Sequence, residues 1–311
     1  MTKELDKDLF IIENKLIQYG EKRDVAPETA AQLKETNFSD VEIFFHIGIE
    51  RTGTKYLQKK VFPNYKSVHF INKNQYLKAK EIILKKEYPR YLVSMELSLN
   101  DHFETEISDF MDTFPNTKII MVFRPIGKWM VSHYKRIVKN GVNIEFSDLW
   151  SVDNDAWYTP KELFFMKKLQ FLESKIIQKP LFLLYEELKH QPLLYLEKLA
   201  IYVGEDFNAS EQDLNYVHSS YSTKQLIALK WVMNYVQIAR IKPYENKIAN
   251  WLHRLKVDSV RYVTMFIAKV LPQKIFEDKE LIEKEDIEYI HHYYAKDWSE
   301  TLEYVKEYSR Y

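Results

Sequence analysis

No cysteine occurs among the 311 residues, which rules out disulfide bracing, thiolate metal sites and cysteine nucleophiles. Glycine is nearly as scarce, at six positions, and two of the six, Gly48 and Gly53, bracket a single loop. No stretch approaches about 18 consecutive apolar residues. The opening segment, MTKELDKDLFIIENKLIQYGEKRD, is studded with charge and has no apolar h-region. Neither a transmembrane span nor a secretory signal is expected, and the cytoplasm is the expected compartment. Lysine plus arginine and aspartate plus glutamate balance at 45 each. That balance, with no recognition motif present, gives no support to nucleic-acid binding.

What the chain does have is core material, 46% hydrophobic residues and 15% aromatic ones. Short apolar runs near 41–47, 68–71, 90–95, 118–123 and 180–185 are separated mostly by helical stretches. Such alternation predicts an α/β fold, a parallel sheet with helices on both faces. Leu5, Leu9, Ile12, Leu16 and Ile17 recur at helical spacing, so residues 1–40 read as an N-terminal helical extension. Residues 41–311 form the main domain, of which 205–311 is mainly helical. Ligands of such sheets sit beyond the carboxyl ends of the strands, and Gly48, Glu96, Arg124 and Glu186 all fall at such ends.

The first of these ends carries most information. The run Ile43–Ile47 stops at Gly48, and the loop Ile49-Glu50-Arg51-Thr52-Gly53-Thr54 leads into a helix beginning near Lys55. Strand, glycine-bearing turn and helix aim backbone N–H groups at an anion. Gly48 and Gly53 have the Walker A separation, but Thr54 and Lys55 stand in reversed order. Walker A needs the lysine directly after the second glycine and the hydroxyl after it to hold Mg²⁺. The reversal turns the lysine by about 100° around the helix. The cation placed to serve the loop is Arg51. Leu181–Glu186 could mimic the acidic strand of an NTPase, so a nucleotide-dependent kinase remains an alternative.

Gly48-Ile49-Glu50-Arg51-Thr52-Gly53-Thr54-Lys55-Tyr56-Leu57-Gln58 resembles the 5′-phosphosulfate loop of sulfotransferases that use 3′-phosphoadenosine-5′-phosphosulfate (PAPS), commonly G-x-x-K-T-G-T-T-x-L-Q in bacterial members. Arg51 takes the place of the usual lysine and Lys55 that of the second threonine. A second segment resembles the same family. Lys118–Phe123 runs into Arg124-Pro125, and Ser132 follows eight residues after Arg124, similar to the 3′-phosphate element R-x-P-x-x-R-x-x-S-x-Y, with the proline displaced by one position. A guanidinium and a hydroxyl suit a phosphate; alone, the pair reads first as a strand-end salt bridge and an N-terminal-turn serine, and it is the neighbouring loop motif that favours the phosphate. Tyr91–Ser98, Pro180–Leu188 and His218–Ser222 resemble further elements of the same family, in order along the chain.

The resemblance implies a P-loop-like α/β core, PAPS as sulfuryl donor with no metal, and a carbohydrate or glycolipid acceptor, such as a bacterial surface polysaccharide or its precursor. It implies Arg51, Thr52, Gly53, Thr54 and Lys55 on the 5′-phosphosulfate, Arg124 and Ser132 on the 3′-phosphate, and Glu96 as the base that takes the acceptor proton. Arginine is a poor proton donor, so Arg51 is expected to act through its charge. Glu96 reads otherwise as a helix cap near Ser98, and His133 and His218 are the alternative bases. His46 is expected in the core. A sulfotransferase-like chain that binds nucleotide or anionic glycan without catalysis is the non-enzymatic alternative.

Charge is unevenly spread. Between Lys224 and Lys274 ten lysines and arginines face only two acids, Glu245 and Asp258. Trp231, Tyr244, Trp251 and Met265 interleave with them. This basic segment is a candidate for peripheral membrane contact or an anionic acceptor; solvated faces of packed helices are the plainer reading.

Overall fold

Apolar residues at nearly every position, rather than alternate ones, mark strands buried on both faces; four such strands and one half-buried edge strand form one parallel sheet in the computed structural model. It describes residues 26–99, 102–153, 156–215, 221–239, 245–277 and 279–308. The strands are β1 (Glu42–Ile49), β2 (His69–Ile71), β3 (Arg90–Leu97), β4 (Lys118–Phe123) and β5 (Leu181–Leu184), in the order β2-β3-β1-β4-β5. The α/β fold with a parallel sheet flanked by helices is thus the one expected, and each strand lies within a few residues of its predicted place.

The order has a functional consequence. β1 is central, paired with β3 on one side and β4 on the other. The chain moves to one side after β1 and crosses to the other between β3 and β4, so a topological switch point lies beside the carboxyl end of β1.

The chain divides into two compact units. The sheet unit takes in the described residues of Lys22–Ile126, Lys161–Val217 and Tyr294–Tyr311. Its helices include α1 (Pro27–Glu35), α2 (Ala79–Leu84), α3 (His102–Thr113), α5 (Phe165–Glu173), α6 (Tyr185–His190), α7 (Pro192–Val203) and α11 (Ala295–Tyr308). On one sheet face Phe44, Leu92, Ile120, Val122, Leu181 and Leu183 pack with Leu57 and Phe62 from the run after β1 and with Leu196 and Leu199 of α7. On the other, Phe45 meets Phe110 of α3, Phe123 meets Phe165 of α5 and Phe182 meets Tyr304 of α11. α5 is capped from a distance: Asp297 of α11 accepts from the backbone N–H groups of Phe165 and Met166, each at 3.0 Å.

The helical unit takes in the described residues of Gly127–Pro160 and His218–Tyr293. It contains α4 (Ile126–Lys139) beyond its first residue, α8 (Thr223–Met233), α9 (Lys247–Val270) and α10 (Lys284–Tyr293). Residues 1–25, most of the expected N-terminal extension, lie outside the described residues; α1 is its described part.

Candidate active site

β1 ends in a loop whose backbone twice enters the left-handed region, at Arg51 (φ 66°) and Gly53 (φ 88°). Glycine takes that conformation freely; for arginine it costs roughly 1 kcal/mol. Gly53 caps a short helix, Thr54–Tyr56, continued by a π-helical turn over Leu57–Val61. The Tyr56 and Leu57 N–H groups donate back to the Gly53 carbonyl at 2.9 and 3.2 Å, and the N–H groups ahead of them point out of the helix N-terminus. Gly48 is required by closeness: a Cβ there would lie 2.3 Å from Thr54 Cγ2.

The two threonines turn inward. Thr52 Oγ1 donates to the Ile49 carbonyl at 2.6 Å and Thr54 Oγ1 to the same oxygen at 3.1 Å. Both side chains are buried, whereas Arg51 and Lys55 are exposed. Hydroxyls that brace the turn leave the backbone N–H groups and the two cations as its outward chemistry.

Register brings the third strand to the loop. Gly48 is paired with Glu96 across β1 and β3, so the carboxylate stands beside the loop's first residue. Glu96 is 4% exposed in its side chain, and Lys73 Nζ reaches its Oε2 at 3.3 Å. Lys73 opens the 3₁₀ turn Lys73–Lys78, which Asn72 caps by accepting from the Asn74 N–H at 2.9 Å. Nothing in the spacing of Lys73 and Glu96 marks them as partners, since their meeting depends on how β2 lies against β3.

Arg124 completes the group at the end of β4. Its Nη1 donates to the Arg51 carbonyl at 2.9 Å, and its guanidinium lies 4.6 Å from the centre of the Tyr185 ring. Burial lowers the Arg124 pKa from the ordinary guanidinium value, while Tyr185 and Glu186, just after β5, oppose that shift. Its Nε is buried with no hydrogen-bond partner among the described residues. Tyr185 escaped sequence reasoning, because a tyrosine after an apolar strand is ordinary core material until a cation is seen stacked on it.

Beneath the loop His46 is fully buried, with Nδ1 2.8 Å from Ser94 Oγ, which also accepts from Gln58 Nε2 at 3.0 Å. Burial pushes the His46 pKa down to about 3, so the ring is neutral. Arg51, Thr52, Gly53, Thr54, Lys55, Glu96 and Arg124 therefore share one edge of the sheet. Ser132 is half-buried on α4, in the helical unit. His133 is buried on the same helix, stacked 4.9 Å from Trp129, with Nε2 3.1 Å from the Tyr158 hydroxyl. His218 lies outside the described residues. Among the described residues no group of three His, Asp or Glu is arranged to hold a metal ion.

No family model and no curated protein matches the chain. Among solved structures, a sulfotransferase from Alicyclobacillus acidocaldarius is similar at a TM-score of 0.44 and 12% identity, over 62% of this chain and 92% of that one. Mouse sulfotransferase SULT7A1 complexed with PAP is similar at a TM-score of 0.37 and 17% identity, over 60% of this chain and 66% of that one.

Proposed function

We propose that the chain transfers a sulfuryl group from PAPS to an acceptor hydroxyl, with residues 41–311 as the catalytic domain. The observation that carries this reading is the bond from Arg124 to the Arg51 carbonyl at 2.9 Å. It joins, beside the switch point, the two segments whose motifs resemble the donor-binding elements of one family. The residues fit a nucleotide with an anionic group at each end: two arginines, first-turn N–H groups, and a buried guanidinium Nε with no acceptor among the described residues.

In this reading the backbone N–H groups of Thr52, Gly53, Thr54 and Lys55 hold the 5′-phosphosulfate, and Arg124, at the end of β4, holds the 3′-phosphate. The acceptor oxygen forms a bond to sulfur as the bond from sulfur to the bridging phosphate oxygen breaks, and 3′-phosphoadenosine-5′-phosphate leaves. Negative charge grows on that bridging oxygen, where the fixed charge of Arg51 lowers the barrier. The acceptor proton passes to Glu96, with Lys73 holding the carboxylate in place. No step requires a metal. The acceptor class is a carbohydrate or glycolipid hydroxyl, and the compartment is the cytoplasm. Among the described residues no helix is long and apolar enough to cross a membrane.

Kinase chemistry has less support. Thr54 Oγ1 donates inward to the Ile49 carbonyl at 3.1 Å, whereas a Walker hydroxyl holds Mg²⁺ beside the phosphates. The test is calorimetric titration of the purified chain with 3′-phosphoadenosine-5′-phosphate, PAPS and ATP without Mg²⁺. Preference for the 3′-phosphorylated nucleotides, followed by sulfated product on an acceptor screen, is expected. Equal affinity for ATP would overturn the donor assignment, and tight binding with no turnover on any acceptor would leave a binding protein.

A further inference from the structure

α9 is a 24-residue helix with two apolar sides. One is used by the fold: Val257, Met265 and Ala268 are buried in the helical unit, and buried Arg261 donates from Nε to the Lys139 carbonyl at 2.9 Å. The other side is open. Ile248, Trp251, Leu255, Tyr262, Phe266 and Val270 are each between 46% and 69% exposed. At about 100° per residue these six fall within an arc of roughly 100°, so they form one stripe along a helix about 36 Å long. Scattered exposed apolar residues need no explanation, but a stripe of aromatic and branched side chains, interrupted at Ser259, does.

The charges around the stripe identify what it faces. Exposed Lys247, Arg254 and Lys269 follow one border, and exposed Lys256 the other. The single acid of α9, Asp258, is engaged by Arg261 Nη1 at 3.0 Å. Trp251 and Tyr262 lie on the flank that carries three of the cations, as amphipathic rings do at a lipid–water boundary. The sequence pointed to the whole segment 224–274, but most of it is spoken for: Trp231 stacks on Phe276 with ring centres 5.3 Å apart, and Met265 is buried. Tyr244 lies outside the described residues.

We propose that α9 is an in-plane membrane anchor, its stripe entering the headgroup–acyl boundary of an anionic phospholipid bilayer while Lys247, Arg254, Lys256 and Lys269 lie against lipid phosphates. A two-fold pairing of α9 with a second copy would bury the stripe but bring basic borders together, which an anionic surface avoids. The helix carries too much charge to cross the bilayer. The inference concerns the acceptor's surroundings in the proposed function, but its lipid test is independent of sulfuryl transfer.

The experiment is flotation of the full chain with vesicles of phosphatidylcholine alone or with about 30% phosphatidylglycerol at about 0.1 M salt. Binding to the anionic vesicles at least about tenfold above neutral ones is expected. Phe266→Glu, and separately Lys247→Glu with Arg254→Glu, reduce it by about tenfold with circular dichroism and 3′-phosphoadenosine-5′-phosphate affinity unchanged; Leu255→Glu replaces Phe266→Glu if that variant misfolds. Brominated acyl chains quench tryptophan fluorescence less in Trp251→Phe than in the parent. A chain that stays unbound, or binding that both stripe variants retain, overturns the proposal. A vesicle-free dimer split by Phe266→Glu overturns it in favour of a second copy.

Discussion

Arg124 donates to the backbone carbonyl of Arg51 at 2.9 Å, so the cation at the end of β4 also holds the left-handed residue of the loop after β1. Replacing Arg124 removes both a ligand for phosphate and a support for the loop. Arg124→Ala is expected to weaken 3′-phosphoadenosine-5′-phosphate binding about 10- to 100-fold, the size of a lost charge-assisted bond. Arg124→Lys restores only part, because a lysine has no planar fork to serve a carbonyl and a phosphate together. Calorimetry decides; unchanged affinity in Arg124→Ala would remove Arg124 from the donor site.

Glu96 and Lys73 separate catalysis from stability. Glu96→Gln is expected to lower kcat by about 10²- to 10⁴-fold with nucleotide affinity near that of the parent. Lys73→Met leaves a carboxylate that is 4% exposed without its cation at 3.3 Å. The loss is about 1–3 kcal/mol in urea unfolding. Combining the two substitutions recovers most of that stability, since neither charge is then stranded. A double variant no more stable than Lys73→Met would show that the pair does not act together.

The loop's tightness gives a compensation test. Gly48→Ala sets a Cβ 2.3 Å from Thr54 Cγ2 and 2.7 Å from Thr54 Oγ1, costing about 1–3 kcal/mol. Adding Thr54→Ala removes both clashing atoms and leaves the Met95 carbonyl at 3.1 Å as the nearest obstacle. The double variant should therefore melt closer to the parent than Gly48→Ala does. Equal melting temperatures for the single and double variants would refute the steric account.

His46 predicts a pH dependence with a definite sign. Its folded pKa is depressed to about 3 by burial, against about 6.5 when unfolded. Between those values the unfolded chain binds a proton that the folded chain does not. Its contribution is fully present above about pH 6.5 and falls by about 1.4 kcal/mol per pH unit toward pH 3. Urea unfolding at pH 7.5 and 5.5 should show a smaller acid loss in His46→Gln than in the parent. Equal losses would mean the ring takes up a proton without unfolding.

The chain order of apolar runs was enough to place β1 to β5, because strands buried on both faces carry their signal in consecutive residues. The loop after β1 was legible for a similar local reason. Gly48 and Gly53 answer to close approach and positive φ, and both demands act within a few residues. Lys73, Tyr185 and the inward turn of Thr52 and Thr54 were not legible, since each depends on a neighbour supplied by packing.

By itself, then, the sequence determined which segments form strands, where the backbone turns at Gly48 and Gly53, and which cations stand at strand ends. Tertiary structure alone decided that β1 lies between β3 and β4, setting Glu96 beside Gly48 and Arg124 against Arg51. It also decided which side of α9 is buried, leaving Trp251 and Phe266 in the open while Met265 packs inside. Strand formation answers to burial and local geometry, whereas strand order and helix facing depend on which distant surfaces meet, and a linear pattern does not encode that contact.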